Sequence, residues 1–143
     1  QIIAVVQADD QPLQSVLKSL GIDWVVNPQP ERGIGYSIAC AIKATSYSSG
    51  WGILPADMPG LMASTTQQLV DVLREGSVLA APCYRNRRGH PVAFSAQFRD
   101  ALSALDGDTG ARNILQSHTD LLATIETDDA GVLKDIDTWQ DLD

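Results

Sequence analysis

The 143 residues suffice for one ordinary domain with a buried core, and at 44% hydrophobic and 20% charged they belong to a globular rather than a disordered chain. Ten lysines and arginines against 18 acids leave a net charge of −8, which argues against a general nucleic-acid binder with its basic stripe. No apolar run approaches the ~20 residues of a membrane span, and Cys40 and Cys83 stand outside any metal-ligand spacing, so a cytoplasmic chain with free thiols is expected.

Residues 1–8 form a β-branched run that predicts a strand buried on both faces; a strand starting at residue 1 implies a missing upstream piece. Asp9 and Asp10 cap a helix whose apolar face is Leu13, Val16, Leu17 and Leu20, ended by Gly21. Residues 23–26 are a second, short strand. Asn27 then opens a loop with two prolines and two glycines, Gly33 and Gly35, that runs into an apolar helix from Ser37. Such a loop presents backbone N–H groups that suit a phosphate or a base edge, although the spacing is not that of a P-loop.

Residues 51–60 are the organising stretch: Ile53 and Leu54 supply a short buried strand, Asp57 follows, and Pro59-Gly60 forms a turn before a helix over 65–74, capped by Ser64 or Thr65. An acid at the carboxyl end of a central parallel strand sits where open α/β sheets bind ligands; a turn aspartate bonding its own backbone is the competing reading. Residues 76–82 are another buried strand. Residues 83–95 make a hairpin with its turn near 86–89, with Val92 and Phe94 alternating inward and Arg85, Arg87 and Arg88 as a basic knot on an acidic protein. Ser95 caps a helix carrying Phe98 and Leu102. A turn at 106–110, a short helix over 109–117, a strand over 121–126, a turn at 128–132 and a helical cap over 136–142 complete the chain. The alternation predicts an α/β fold, a three-layer, mostly parallel Rossmann-like sheet with a β-hairpin insert.

Two functional classes fit the acids. Asp9, Asp10 and Asp57 followed by Met58-Pro59-Gly60 share the spacing of phosphorelay receivers, but the Met-Pro-Gly stands two residues too close to the acid and the receiver lysine is lacking. The second class uses more of the chain. Asn27-Pro28 with Gly33 and Ser37, then Leu54-Pro55-Ala56-Asp57-Met58-Pro59, Gly89-His90-Pro91, the run 105–112, and Asp135-Ile136-Asp137-Thr138 resemble in order the MobA-like nucleotidyltransferases, and within them the MocA-like molybdenum cofactor cytidylyltransferases.

That resemblance implies a single domain over 1–143 with the nucleotide-diphospho-sugar transferase type of fold, transferring CMP or GMP from CTP or GTP to an acceptor such as molybdopterin with release of pyrophosphate. It implies Asp57 and one acid of Asp135-Ile136-Asp137 as catalytic ligands of Mg2+. Alternate residues of an extended stretch face opposite ways, so only one of the two can face Asp57, with Asp137 preferred and Asp135 read as a solvated edge charge. It implies Asn27, Gly33 and Ser37 at the nucleotide, and Arg88, Gly89, His90 and Pro91 at the phosphorylated acceptor, with Asp108 and Arg112 bracing a turn. Ordinary loop and capping chemistry competes for the first set, and a turn histidine held by its neighbours for His90. The family's opening strand and LAAGxSxRMG-type loop have no counterpart here, and Trp139 stands where proline is usual. The domain is therefore expected to be truncated at its N-terminus and catalytically impaired, with a non-catalytic nucleotide-binding remnant as the alternative. No membrane and no nucleic acid are expected as partners.

Overall fold

The computed structural model describes residues 1–142, which group into two compact units, residues 1–48 with 98–117 and residues 49–97 with 118–142. In the first unit, β1 (Ile3–Gln7) and β2 (Asp23–Asn27) pair in parallel, joined by α1 (Gln11–Ser19). Asp10 caps α1, its carboxylate accepting the Leu13 N–H at 3.1 Å. The helix stops because Gly21 takes φ +67°, which lets the Gly21 and Ile22 N–H groups bond back to the Lys18 and Leu17 carbonyls. α2 (Ile34–Ala44) packs on β1, β2 and α4 (Arg99–Ser103), and α5 (Arg112–Ser117) follows. Only Val6 of β1 is buried, so the strand expected to be covered on both faces is half-open.

The second unit holds a five-stranded sheet: β3 (Gly50–Ile53), β6 (Val92–Ser95), β4 (Leu79–Tyr84) and β5 (Arg87–Arg88) in that order, with β7 (Leu122–Glu126) parallel to β4. Within this sheet the expected parallel majority is not found, although β1–β2 and β4–β7 pair in parallel. β3–β6, β6–β4 and β4–β5 are all antiparallel, because β6 returns from the β4 hairpin and lies between β3 and β4. For the same reason β3 ends the path of this sheet instead of holding its centre. The hairpin turn is Arg85–Asn86, with φ of 50° and 62°, the left-handed pair that two-residue hairpins require. Val92, Ala93 and Phe94 are all buried, so β6 is covered on both faces and does not alternate.

β4 runs through Pro82 to Tyr84, past the proline expected to end it. Proline lacks an N–H, and here it stands where β4 changes partner, from β6 at Leu79 and Ala80 to β5 at Cys83 and Tyr84. α3 (Ala63–Arg74) packs Leu69, Val72 and Leu73 against Ala80, Ala93, Ala123 and Ile125 of the sheet. Two 3-10 turns, Ala130–Leu133 and Trp139–Leu142, close the chain.

Candidate functional site

The residues expected at a nucleotide fall in the first unit, around the junction of β2 and α2. Asn27 ends β2 with its side chain buried. Its Nδ2 donates to Ser37 Oγ at 2.9 Å and its Oδ1 accepts the Gln29 N–H at 2.8 Å. Asn27 and Ser37 are thus brought together, ten residues apart in sequence, by one bond across the loop. Gly33 starts α2 at φ +86°, and a Cβ there would run into the Asp108 carboxylate and the Gly107 backbone. The Gly35 N–H donates to the Gly107 carbonyl at 2.8 Å, and the Gly107 N–H donates to the Arg32 carbonyl at 2.9 Å. Arg32 grips Asp106 with two nitrogens, at 2.6 and 3.1 Å, and stacks on Tyr36. These hydrogen bonds hold the Asp106 carboxyl below the usual aspartate range. Acidic residues therefore already seat on the positive end of α2, and one of its N–H donors is taken.

The residues expected at metal and acceptor fall in the second unit. β3 stops at Ile53, before Pro55, and exposed Asp57 lies in the turn that follows, anchored by buried Met58. The Asp57 carbonyl accepts the Ile136 N–H at 2.8 Å, which lays the chain between Asp135 and Asp137 alongside Asp57. Behind the basic hairpin, the Gly89 N–H donates to Pro82 and the His90 N–H to the Val132 carbonyl, at 2.9 and 2.8 Å. Gly89 lies against Val132 with no room for a Cβ, and Pro91 is buried.

His90 is half-buried, and its Nδ1 is enclosed without a hydrogen-bond partner among the described residues. Burial lowers the imidazole pKa; the Arg88 charge lowers it further, while the Ile53 carbonyl and the charges of Asp57 and Asp135 pull it back up. Asp57, Arg88 and Asp135 thus all lie within electrostatic reach of His90. Of the two acids beside Ile136, it is Asp135 whose charge is felt at His90. No cluster of three or more histidine, cysteine or acidic ligands occurs among the described residues.

Residues 1–122 match the family model of the MobA-like NTP transferase domain. The chain belongs to this family. The purine catabolism protein PucB of Bacillus subtilis (strain 168) is 34% identical over 116 residues, which are 79% of this chain and 56% of PucB; the chain thus spans little more than half of that relative. The solved structure of Rv0371c from Mycobacterium tuberculosis H37Rv superposes with a TM-score of 0.82 at 24% identity, over 99% of this chain and 73% of its own. The same protein in complex with manganese gives 0.81 at 23%, over 99% and 74%. Molybdopterin-guanine dinucleotide biosynthesis protein A from Archaeoglobus fulgidus gives 0.60 at 14%, over 98% and 74%. The fold is accordingly α/β of the nucleotidyltransferase type.

In this MobA-like domain one residue near the site escaped the sequence reading. Asp129, assigned there only to a turn, is 2% exposed and accepts three hydrogen bonds, from the Thr65 hydroxyl at 2.6 Å and from the Met62 and Gly131 N–H groups at 2.9 Å each. It reaches the start of α3 from 64 residues away, through the Met62 N–H and the Thr65 hydroxyl, while the N-cap is Met62 rather than the expected Ser64 or Thr65. The Asp129-Ala130-Gly131 spacing was visible, but nothing local marks such an acid as buried.

Proposed function

We propose that this MobA-like domain serves nucleotidyl transfer, with the 57–62 turn, the 88–91 loop and the 135–137 segment forming its metal and acceptor side. The observation that carries this reading is the backbone bond from Ile136 to Asp57, beside a histidine that feels Asp57, Asp135 and Arg88. In the reaction, a phosphate oxygen of the acceptor bonds to the α-phosphorus of CTP or GTP while the α–β bond breaks and pyrophosphate leaves. Molybdopterin is the acceptor class, which the A. fulgidus neighbour, named for molybdopterin-guanine dinucleotide biosynthesis, supports.

A divalent cation, Mg2+ in this reading, neutralises charge on the phosphoryl oxygens when bound. Two carboxylates satisfy such an ion when waters and phosphates complete its shell, so the lack of a three-ligand cluster among the described residues is compatible with it. Exposed Asp57 and Asp137 supply hard oxygen donors, with Asp135 the alternative to Asp137; the manganese complex of the mycobacterial neighbour supports a divalent site. Arg88 offers charge to the acceptor phosphate, and half-buried His90, neutral near pH 7, offers a hydrogen bond and no added charge. Asn27 and Ser37 suit a neutral base or sugar better than a phosphate, because Asp106 and Asp108 stand at the same helix end. The two free cysteines support a cytoplasmic location.

Residues 1–143 contain no glycine-rich triphosphate loop, and losing even one aligned donor costs on the order of 10²–10³ in rate. The 143-residue protein by itself is therefore expected to bind CTP or GTP weakly, dependent on Mg2+, and to release no pyrophosphate with molybdopterin. Calorimetric titration of wild type and Asp57→Asn, Asp135→Asn and Asp137→Asn, with a pyrophosphate assay, tests this. Loss of binding only in Asp57→Asn and one of the other two identifies the metal pair. Nucleotide binding indifferent to Mg2+ and to all three substitutions would sink the reading. The antiparallel β3–β6–β4 pairing is not the all-parallel order of a receiver, and a stable beryllofluoride adduct at Asp57 is not expected.

A further inference from the structure

Segment 129–136 touches every loop of the candidate site in the second unit. At its start, the buried Asp129 carboxylate accepts from Met62, Thr65 and Gly131. Next, Gly131 lies against the Gly60 backbone so closely that a Cβ would overlap the Gly60 carbonyl. The Val132 carbonyl accepts the His90 N–H, and the Ile136 N–H reaches the Asp57 carbonyl, both at 2.8 Å. Asp129 itself is held from behind, its N–H donating to Thr127 Oγ1 at 3.2 Å.

A buried carboxylate is tolerated only where its oxygens are satisfied, and three donors with none to spare make its position sharply defined. Asp57 has no such definition of its own. It is exposed, lies beyond the end of β3 and is followed by buried Met58 and a proline-glycine turn, so apart from the Met58 anchor its backbone takes its place from what packs on that turn. We propose that segment 129–136, locked by the Asp129–Thr65 bond, is the positioning element that holds the Asp57 turn and the His90 loop in register with each other. Asp129 touches neither substrate nor metal; it acts through Gly60, Val132 and Ile136. The proposal rests on the reading of Asp57 and His90 as site residues and adds what holds them there. Outer-shell partners of this kind typically cost about 10–100-fold in metal affinity when removed.

The test uses the 143-residue protein and two readouts. Amide hydrogen exchange needs no ligand. Thr65→Val, which keeps the volume and removes the hydroxyl, should speed exchange at His90 and Ile136 at least about tenfold while the β1–β2 amides keep wild-type rates, and Thr65→Ser should restore protection. Asp129→Asn should extend the loss to the Met62 and Gly131 amides. Titration with Mn2+, followed by electron paramagnetic resonance, should show at least about tenfold weaker binding in Thr65→Val and Asp129→Asn and recovery in Thr65→Ser. Ile125→Val, a core change in β7, controls for lost stability and should leave Mn2+ affinity unchanged.

Wild-type exchange at His90 and Ile136 in a folded Thr65→Val or Asp129→Asn protein overturns the positioning role. So does wild-type Mn2+ affinity in variants whose exchange has loosened. If Asp57→Asn itself leaves Mn2+ binding intact, the fault lies in reading Asp57 as a metal ligand, and the exchange rates alone then decide the positioning role.

Discussion

Gly89 and Gly131 sit where backbone meets backbone, against Val132 and Gly60, so a methyl group at either position has nowhere to go. Gly89→Ala and Gly131→Ala are each expected to cost about 1–3 kcal/mol or more, read as a lower urea midpoint. Gly52 is the contrast: a Cβ there meets nothing within 4 Å, and Gly52→Ala should stabilise by about 0.4–1 kcal/mol. At His90 the sign of the pH dependence follows from burial. The folded-state pKa lies below the ordinary 6.5, so the unfolded chain binds the proton more readily. The contribution of His90 is fully present above about pH 6.5 and is lost as pH falls toward the folded value. Urea unfolding between about pH 5.5 and 7.5 should show this slope in wild type and not in His90→Gln; an unchanged slope would mean that another group titrates there.

Among the elements, α1 and α3 start by different means. α1 uses Asp10, its own N-cap, whereas α3 starts at Met62 without a side-chain cap, and Asp129 ties its first turn through the Thr65 hydroxyl across 64 residues. α1 holds one buried residue, Leu17, while Leu13, Val16 and Leu20 stay exposed. α3 buries Leu69 against the sheet at 2% exposure. Capping should therefore matter relatively more to α1 and packing to α3. Asp10→Ala is expected to cost about 1 kcal/mol, and Leu69→Ala about 2–5 kcal/mol because the rigid sheet beneath cannot collapse into the space. Chemical denaturation of both variants checks the order; equal losses would contradict it.

At the scale of the whole molecule, a net charge of −8 surrounds one basic hairpin, Arg85, Arg87 and Arg88. Duplex DNA needs a continuous basic surface to release counterions, whereas a single phosphorylated small molecule needs only two or three cations. The protein is expected to show no retention on duplex DNA at about 0.1 M salt. Salt-sensitive retention abolished by Arg87→Ala and Arg88→Ala together would assign the hairpin to nucleic acid instead. None of the described helices is long and apolar enough to cross a membrane.

Local chemistry was legible in order along the chain. Asp10 as cap, Gly21 as helix stop, the strand–helix alternation and the motifs at Asn27, Asp57, Gly89-His90-Pro91 and 135–138 all depend on neighbours within a few residues, and from them the α/β class and the family resemblance follow. Pairing direction was not legible. Whether β6 lies beside β3 or beyond β4 depends on which edge its backbone meets, and period-2 or continuous apolar runs carry no record of that partner. Nor was the burial of Asp129, since an acid in a turn reads as solvated until the Thr65 hydroxyl and two N–H donors converge on it from distant segments. Residue types that act through sequence neighbours were decided by the sequence; what acts through converging backbone was decided only by the tertiary structure, because hydrogen bonds between distant segments leave no local pattern.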